Sequence, residues 1–196
     1  MLIVEESRAR FDEYAQVSIG FHVRETFDAQ GVEAMMQGAV PVATPIAEPY
    51  WKDYDAYPGG HPAEWPDRFD VSKWIVLTAL DDGLRVGGAV IAMDDPQVVL
   101  LRDRGGLALL WDIRVAPNMR HRGVGRALLQ AAERAATERG ASAMRVETQQ
   151  VNVAACRFYH RNGYVLERMI SDAYPNLPSE IQLLWLKTLS SSASIA

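Results

Sequence analysis

A strand, loop and helix pattern in the second half of the chain constrains the fold more than any other sequence feature. Leu107–Val115 is an apolar run typical of a buried strand, and Gly123–Arg139 places its apolar side chains on one helical face. Gly140 follows at the position where glycine commonly ends a helix. A strand that leads directly into a helix indicates an α/β domain, in which the helix packs back against the sheet.

Strand and helix patterns elsewhere extend this arrangement. Apolar runs and alternations predict strands at Leu2–Glu5, Trp74–Leu80, Leu84–Met93, Met144–Gln149, Tyr164–Ile170 and Ile181–Leu186. Helical spacing predicts helices at Phe11–Phe27 and Asn152–Asn162. The acidic turn that ends in Gly83 predicts a hairpin between two of the strands. The order of elements predicts an α/β fold with a central twisted mixed sheet and helices on both faces.

The length of 196 residues fits a single domain. We expect residues 1–189 to form this domain, with an insertion at about residues 41–70 and a flexible tail at residues 190–196. The insertion is rich in proline, which excludes long helices and central strands. Aromatic residues between Tyr50 and Trp65 argue against disorder, so we expect a functional loop.

Composition and charge exclude several classes of protein. The chain has 25 acidic and 20 basic residues and a net charge of -5, which disfavours nucleic acid as a partner. No apolar run approaches the roughly 18 residues of a membrane span, and no secretory signal is recognisable, so we expect no membrane association and a cytoplasmic location. One cysteine, Cys156, and four scattered histidines give no metal-site spacing, so we expect no metal. Whether the chain forms a homodimer is left open.

The basic loop before the helix at Gly123–Arg139 carries the clearest chemical signal. It reads Arg120-His121-Arg122-Gly123-Val124-Gly125-Arg126. A helix N-terminus presents unpaired N–H groups and a positive dipole end, which together favour phosphate, and glycines let the backbone approach a ligand closely. The spacing matches neither a Walker motif nor the dinucleotide fingerprint. A surface loop with solvated arginines is the alternative for this loop taken alone.

Two motifs in the right order resemble the GCN5-related N-acetyltransferase (GNAT) superfamily. The loop Arg120–Gly125 resembles its motif Gln/Arg-x-x-Gly-x-Gly/Ala, and Asn152–Tyr164 resembles its downstream Asn…Phe-Tyr-x-x-x-Gly-Phe element. A closer resemblance, to the streptothricin acetyltransferases, covers most of the chain. It is carried by the segments Lys52–Asp55, Phe69–Trp74, Leu110–Val115, Val146–Val153 and Ala173–Trp185.

The resemblance implies a GNAT fold and direct transfer of an acetyl group from acetyl-CoA to an amine. The implied cofactor-binding residues are Ile113, Arg114, Val115, Arg120, His121, Arg122, Gly123, Val124, Gly125, Arg126 and Asn152. The loop backbone would hold the pyrophosphate, and the edge of the preceding strand would hydrogen-bond the pantetheine arm. A backbone N–H near Val115 would stabilise the oxyanion. Asn152 could equally be a plain helix cap.

Proton transfer requires an acid and a base. Tyr159 would be the acid that protonates the leaving thiolate, because a phenol with the ordinary pKa of about 10 keeps its proton at neutral pH. Core packing is the alternative for Tyr159. Asp112 and Glu147 are the candidates for the base, with a water-mediated route left open. The alternatives are a structural hydrogen bond for Asp112 and an ion pair with Arg134 or Arg145 for Glu147.

The acceptor is expected to be a small cation with a primary amine, such as the β-lysine arm of streptothricin. Trp51, Asp53, Tyr54 and Asp55 would bind it, because carboxylates and aromatic faces suit a cationic amine; a solvated loop is the alternative. Two other functions remain open. One is acetylation of a protein or peptide amine, and the other is acyl-CoA binding without catalysis.

Overall fold

The computed structural model describes residues 1–190, so that all of the expected tail except Ser190 lies outside the described residues. Within them, the strands are β1 (Leu2–Glu6), β2 (Phe21–Thr26), β3 (Thr44–Lys52), β4 (Ile75–Asp81), β5 (Leu84–Met93), β6 (Leu107–Val115), β7 (Ala143–Gln149), β8 (Val165–Ile170) and β9 (Gln182–Thr188). The α-helices are α1 (Phe11–Tyr14), α2 (Ala29–Met36), α3 (Trp65–Arg68), α4 (Val124–Glu138) and α5 (Val153–Arg161). This set of strands and helices confirms the predicted α/β class. None of these helices is long and apolar enough to cross a membrane.

Contacts divide the described chain into two compact units. The first contains Met1–Gly20, Asp53–Met144 and the described residues from Thr188 onward, and the second contains Phe21–Lys52 and Arg145–Lys187. The residues of the expected insertion, 41–70, are divided between the two units. Each unit contributes its own candidate functional residues.

The first unit contains strands in the antiparallel order β1-β4-β5-β6. The hairpin predicted at Gly83 is confirmed, and this glycine adopts a φ of 79° in the turn. Helix α4 packs on β4, β5 and β6 through a face that includes Leu128 and Leu129. Strand β6 contains a bulge at Trp111, because its register with β5 shifts there, and a bulge bends a strand locally.

An aromatic cluster fills the core of the first unit. Trp65 and Trp74 are only 2% and 0% exposed, and their ring centroids lie 6.3 Å apart. Trp111 contacts both rings, and the indole N–H of Trp65 donates to the carbonyl of Gly60 at 3.1 Å. Full burial of a large apolar side chain stabilises a fold by roughly 1.5–3 kcal/mol. Part of the expected insertion is therefore anchored as core.

The second unit combines most of β7 with β9 and β8, in that order, and a separate two-stranded sheet of β2 and β3. Pro45 and Pro49 lie within β3, where proline is tolerated because β3 pairs on one side only. Helix α5 begins as predicted. The side chain of Asn152 caps it by accepting a hydrogen bond from the N–H of Ala155 at 3.2 Å.

The prediction of one helix over Phe11–Phe27 is wrong. Only Phe11–Tyr14 is α-helical, and Phe21–Thr26 forms β2. The helical spacing that suggested a long helix belongs to Phe11 and Tyr14, which are buried in the core of the first unit. Beyond Gly20 the side chains follow a two-residue alternation instead, with His22 exposed and Val23 buried, which is the period of a strand.

Candidate active site

The start of α4 leaves backbone donors without acceptors among the described residues. Gly123 is the N-cap residue with a φ of 86°, and no side chain of residues 1–190 caps the helix. The first helical hydrogen bond runs from the N–H of Ala127 to the carbonyl of Gly123, so the N–H groups of Val124, Gly125 and Arg126 precede the helical ladder. In the described part of the chain, a Cβ atom at Gly123 would meet no atom within 4 Å beyond its chain neighbours, so this backbone is open to a ligand.

The basic residues of this loop do not all point the same way. Arg122 and Arg126 are exposed, whereas the guanidinium of Arg120 turns inward. It donates to the carbonyls of Val115 at 3.0 Å, Ser18 at 3.2 Å and Gly20 at 3.0 Å, and burial lowers its pKa. Arg120 therefore fixes the loop, and Arg122 and Arg126 supply the exposed charge.

His121 adds local strain to the same loop. Its φ of 62° lies in the left-handed region, which costs a residue with a side chain roughly 1–3 kcal/mol. Such strain concentrates at functional sites because the surrounding structure must hold it in place. The strained residue and the uncapped helix start therefore lie in the same loop.

A buried ionic network surrounds Asp112 in the first unit. The guanidinium of Arg114, whose side chain is fully buried, donates to both oxygens of Asp112 at 2.9 and 2.7 Å and to both oxygens of Asp55 at 2.9 and 3.0 Å. Tyr14 donates its hydroxyl to Asp112 at 2.5 Å and places its ring against the guanidinium at 4.8 Å. Arg114 also donates to the carbonyl of Val17 at 3.1 Å.

The network also fixes the protonation of its members. Burial raises the pKa of Tyr14 well above its ordinary value, and the Asp112 carboxylate raises it further. Burial alone would lower the pKa of Arg114, but the carboxylates of Asp112 and Asp55 raise it overall. Tyr14 therefore keeps its proton and Arg114 its charge.

Three of the expected site residues belong to this network, and their roles stay predictions. Asp112 was a candidate base, but the structure places it in a buried network in which both of its oxygens are already hydrogen-bonded. Asp55 was expected to bind a cationic acceptor, but its carboxylate is neutralised by Arg114. The side chain of Arg114 is likewise committed to the protein interior, so that only its backbone is available to a cofactor.

Glu147, the other candidate base, lies in the second unit in different surroundings. It is half-buried on β7 and accepts a hydrogen bond from the hydroxyl of Tyr174 at 2.5 Å. The ion pair considered for Glu147 is not formed with Arg145, which pairs with Glu167 instead at 2.8 Å. Within residues 1–190, neither a hydrogen bond nor an ion pair reaches the second carboxylate oxygen of Glu147, Oε2.

Tyr159 and Cys156 lie on the buried side of α5. Tyr159 is 4% exposed, and its ring stands edge-on to that of Tyr164 at 5.5 Å, so it packs in the core. Cys156 is 1% exposed, and burial raises the pKa of its thiol to about 12. A thiol in this state is a poor nucleophile, which agrees with a packing role for Cys156.

A cavity of about 480 Å³ opens in the second unit. Alternate side chains of β3, Ile46, Glu48 and Tyr50, form part of its wall, and Asp28 at the start of α2 adds a second carboxylate. None of the described residues that line it is a lysine or an arginine. Lys52 lies further along β3, and its ammonium is bound by Glu180 at 2.6 and 2.8 Å.

The residues expected to bind the acceptor do not line this cavity. Trp51 is 52% exposed and contacts His22 at 5.0 Å between ring centroids. Asp53 accepts a hydrogen bond from the N–H of Asp55 and so caps the turn that includes Tyr54. Glu48 and Tyr174 are not predicted from the sequence as site residues, because their positions depend on contacts that carry no local sequence pattern.

A model of the acetyltransferase (GNAT) family matches residues 43–164. The chain belongs to this family. The match confirms the resemblance of the two motifs to this family. Within residues 1–190 of this GNAT chain, no three histidine, cysteine or acidic side chains are grouped as metal ligands would be.

Two curated proteins are similar to parts of this GNAT chain. Streptothricin acetyltransferase A of Bacillus subtilis strain 168 is 38% identical over 82 residues, which are 41% of this chain and 47% of that protein. Streptothricin acetyltransferase of Streptomyces lavendulae is 39% identical over 69 residues, which are 35% of this chain and 36% of that protein. The matched stretches therefore span less than half the length of these relatives.

A solved structure confirms the GNAT fold. It comes from Bacillus anthracis strain Ames, is assigned as a streptothricin acetyltransferase and contains acetyl coenzyme A. It matches 95% of this GNAT chain and 98% of its own chain with a TM-score of 0.70 and 22% identity. At this identity the likeness concerns the fold alone.

Proposed function

We propose that this chain is an acetyl-CoA-dependent N-acetyltransferase that acetylates a primary amine of a small cationic molecule, with a streptothricin-like antibiotic as the preferred acceptor. The observation that carries the proposal is the start of α4, where a GNAT chain presents uncapped N–H groups beside exposed arginines. The names of the two curated relatives support the choice of acceptor.

The start of α4 fits the pyrophosphate of acetyl-CoA. The N–H groups of Val124, Gly125 and Arg126 are donors that a phosphate oxygen can satisfy, and the open space at Gly123 admits the group. The exposed guanidinium of Arg122 adds charge. For the pantetheine arm we propose the backbone of Ile113–Val115, and for Asn152 a cofactor contact in addition to its helix cap.

The proposed chemistry is direct acyl transfer. Acetyl-CoA supplies the acetyl group as a thioester; the amine nitrogen bonds to the carbonyl carbon, and the C–S bond then breaks to release CoA. Glu147 accepts the proton that the amine loses, and Tyr159 donates a proton to the thiolate sulfur. A backbone N–H near Val115 stabilises the oxyanion. Asp112 is omitted because both of its oxygens already accept hydrogen bonds.

We assign the acceptor to the cavity of the second unit. Its volume suits a small molecule, and Glu48 and Asp28 supply negative charge beside apolar and aromatic surface. Glu48 forms no hydrogen bond or ion pair within the described part of the chain, so its charge is available to a cation. Asp55 is a weaker candidate than Glu48, because Arg114 already neutralises it.

The test is a turnover screen that follows release of CoA with streptothricin, polyamines, lysine-containing peptides, and neutral and anionic amines. We expect streptothricin-like cations to react fastest and their KM to rise with added salt, because the Debye length is about 8 Å at physiological ionic strength. Faster acetylation of peptides would support the protein acceptor. Acetyl-CoA binding without turnover of any amine would support the non-catalytic alternative.

A matched pair of variants tests the cavity. Glu48→Gln should raise the KM for the cationic amine with little change in kcat, because it removes a charge that binds the acceptor without entering the reaction. Glu33→Gln is the control, since Glu33 is exposed on α2 and does not line the cavity. Equal effects of the two variants on KM would contradict the assignment.

A further inference from the structure

Tyr174 connects two side chains on one face of β7. Its hydroxyl donates to Oε1 of Glu147 at 2.5 Å and accepts from the side-chain amide of Gln149 at 3.1 Å. Glu147 and Gln149 are two residues apart in a strand, so their side chains project from the same face. The phenol therefore bridges the two neighbouring side chains.

The direction of these hydrogen bonds follows from the available protons. The amide nitrogen of Gln149 can only donate, so it uses a lone pair of the phenol oxygen. The single proton of the phenol is then directed at Glu147, which holds Oε1 as an acceptor. The other oxygen, Oε2, has no hydrogen-bond partner in the described chain and can accept a proton.

The segment that carries Tyr174 is hydrogen-bonded at its far end. Residues 171–181 connect β8 with β9, and Gln150 holds the far end of this connection. Its side-chain amide donates to the carbonyl of Ser179 at 2.8 Å, and its side-chain oxygen accepts from the N–H of Ile181 at 2.6 Å. These hydrogen bonds limit the motion of the connection, and they therefore also limit the positions that the Tyr174 hydroxyl can take.

We propose that Tyr174 is a positioning residue for Glu147, which it orients so that Oε2 receives the proton of the attacking amine. This inference rests on the proposed function, in which Glu147 is the base. The proton balance is simple: the amine nitrogen loses one proton, Oε2 gains it, and Tyr174 keeps its own. Removing the hydroxyl should therefore slow the reaction without weakening cosubstrate binding.

A double-mutant cycle on the full chain tests the proposal, with steady-state kinetics for acetyl-CoA and the best amine of the screen. Tyr174→Phe should lower kcat about 10- to 100-fold with an unchanged KM for acetyl-CoA, in line with the loss of a hydrogen bond to a charged group. Glu147→Gln should lower kcat by roughly 10²–10⁴-fold. In the Glu147→Gln background, Tyr174→Phe should have no further effect, because the residue acts only through Glu147.

The outcomes distinguish this proposal from the proposed function. If Glu147→Gln is slow but Tyr174→Phe has wild-type kcat, or slows both backgrounds equally, the positioning role is wrong while the base assignment stands. If Glu147→Gln keeps wild-type kcat, the base assignment is wrong and the positioning role with it.

Tyr57→Phe, at a tyrosine that is 40% exposed, is the matched control and should leave kcat unchanged. A melting temperature close to that of the wild type for Tyr174→Phe excludes unfolding as the cause of its slow turnover.

Discussion

Replacing Asp55 with asparagine separates a structural role of this carboxylate from a substrate-binding one. Asp55 receives two hydrogen bonds from Arg114, at 2.9 and 3.0 Å, and its side chain is only 15% exposed. Asparagine keeps one acceptor oxygen and turns an amide N–H₂ toward the guanidinium, so one charge-assisted hydrogen bond is lost. Hydrogen bonds to charged groups are worth about 1.5–3 kcal/mol.

The loss is limited because Arg114 keeps both hydrogen bonds to Asp112. The cost therefore stays below the roughly 3–5 kcal/mol of leaving a buried charge unpaired, and we expect the free energy of unfolding to fall by about 2 kcal/mol. For a chain of this size that corresponds to a melting temperature lower by about 4–8 °C. Thermal denaturation followed by circular dichroism measures this shift.

Asp53→Asn is the control for this experiment. Asp53 accepts one hydrogen bond from the N–H of Asp55 at 3.1 Å, and asparagine caps a turn as well as aspartate does. We expect a change in melting temperature below about 1 °C for this variant. If Asp55→Asn left the melting temperature unchanged and instead raised the KM for the amine, the structural reasoning would be refuted and the acceptor-binding role restored.

Three further predictions concern the loop at the start of α4 and the helix α5. Gly125→Asp should weaken CoA binding, measured by calorimetry, because it puts a carboxylate beside the phosphates; unchanged affinity would count against the loop. Tyr159→Phe should lower kcat by roughly 10²–10⁴-fold with little change in the KM for acetyl-CoA, and a wild-type kcat would exclude Tyr159 as the acid. Cys156, whose buried thiol has its pKa raised to about 12, should not react with a thiol reagent at pH 8 until the chain is denatured. Rapid labelling of the native protein would show that the thiol is accessible.

Local patterns were sufficient for the elements whose apolar period is unambiguous. Helix α4 and strand β6 lie where the sequence predicts them, because α4 has a single apolar face between two glycines and β6 is a mostly apolar run. The stretch after Phe11 was misinterpreted because two core residues, Phe11 and Tyr14, mimic a helical repeat. β2 was missed because it lies inside the stretch that was assigned to one helix. β3 was missed because much of it is exposed, so that burial imposes little alternation on it.

In the candidate site, too, local sequence patterns predict some features and not others. The loop at the start of α4 was recognisable because glycine spacing and basic residues are local features. Arg120 could not be distinguished from Arg122 in the sequence, although one donates to three carbonyls and the other is exposed. Their difference depends on Ser18 and Gly20, about one hundred residues earlier in the chain.

The two candidate bases show why a residue type alone does not define a catalytic role. Asp112 and Glu147 carry the same functional group, each on a strand, and each accepts a hydrogen bond of 2.5 Å from a tyrosine. Asp112 also faces a buried guanidinium, and an amine's proton could reach its carboxylate only by competing with that ion pair. Glu147 has no cation within hydrogen-bonding distance among the described residues, and one of its oxygens is not engaged. The arrangement of partners therefore favours Glu147 as the group that accepts a proton and Asp112 as the group that holds Arg114.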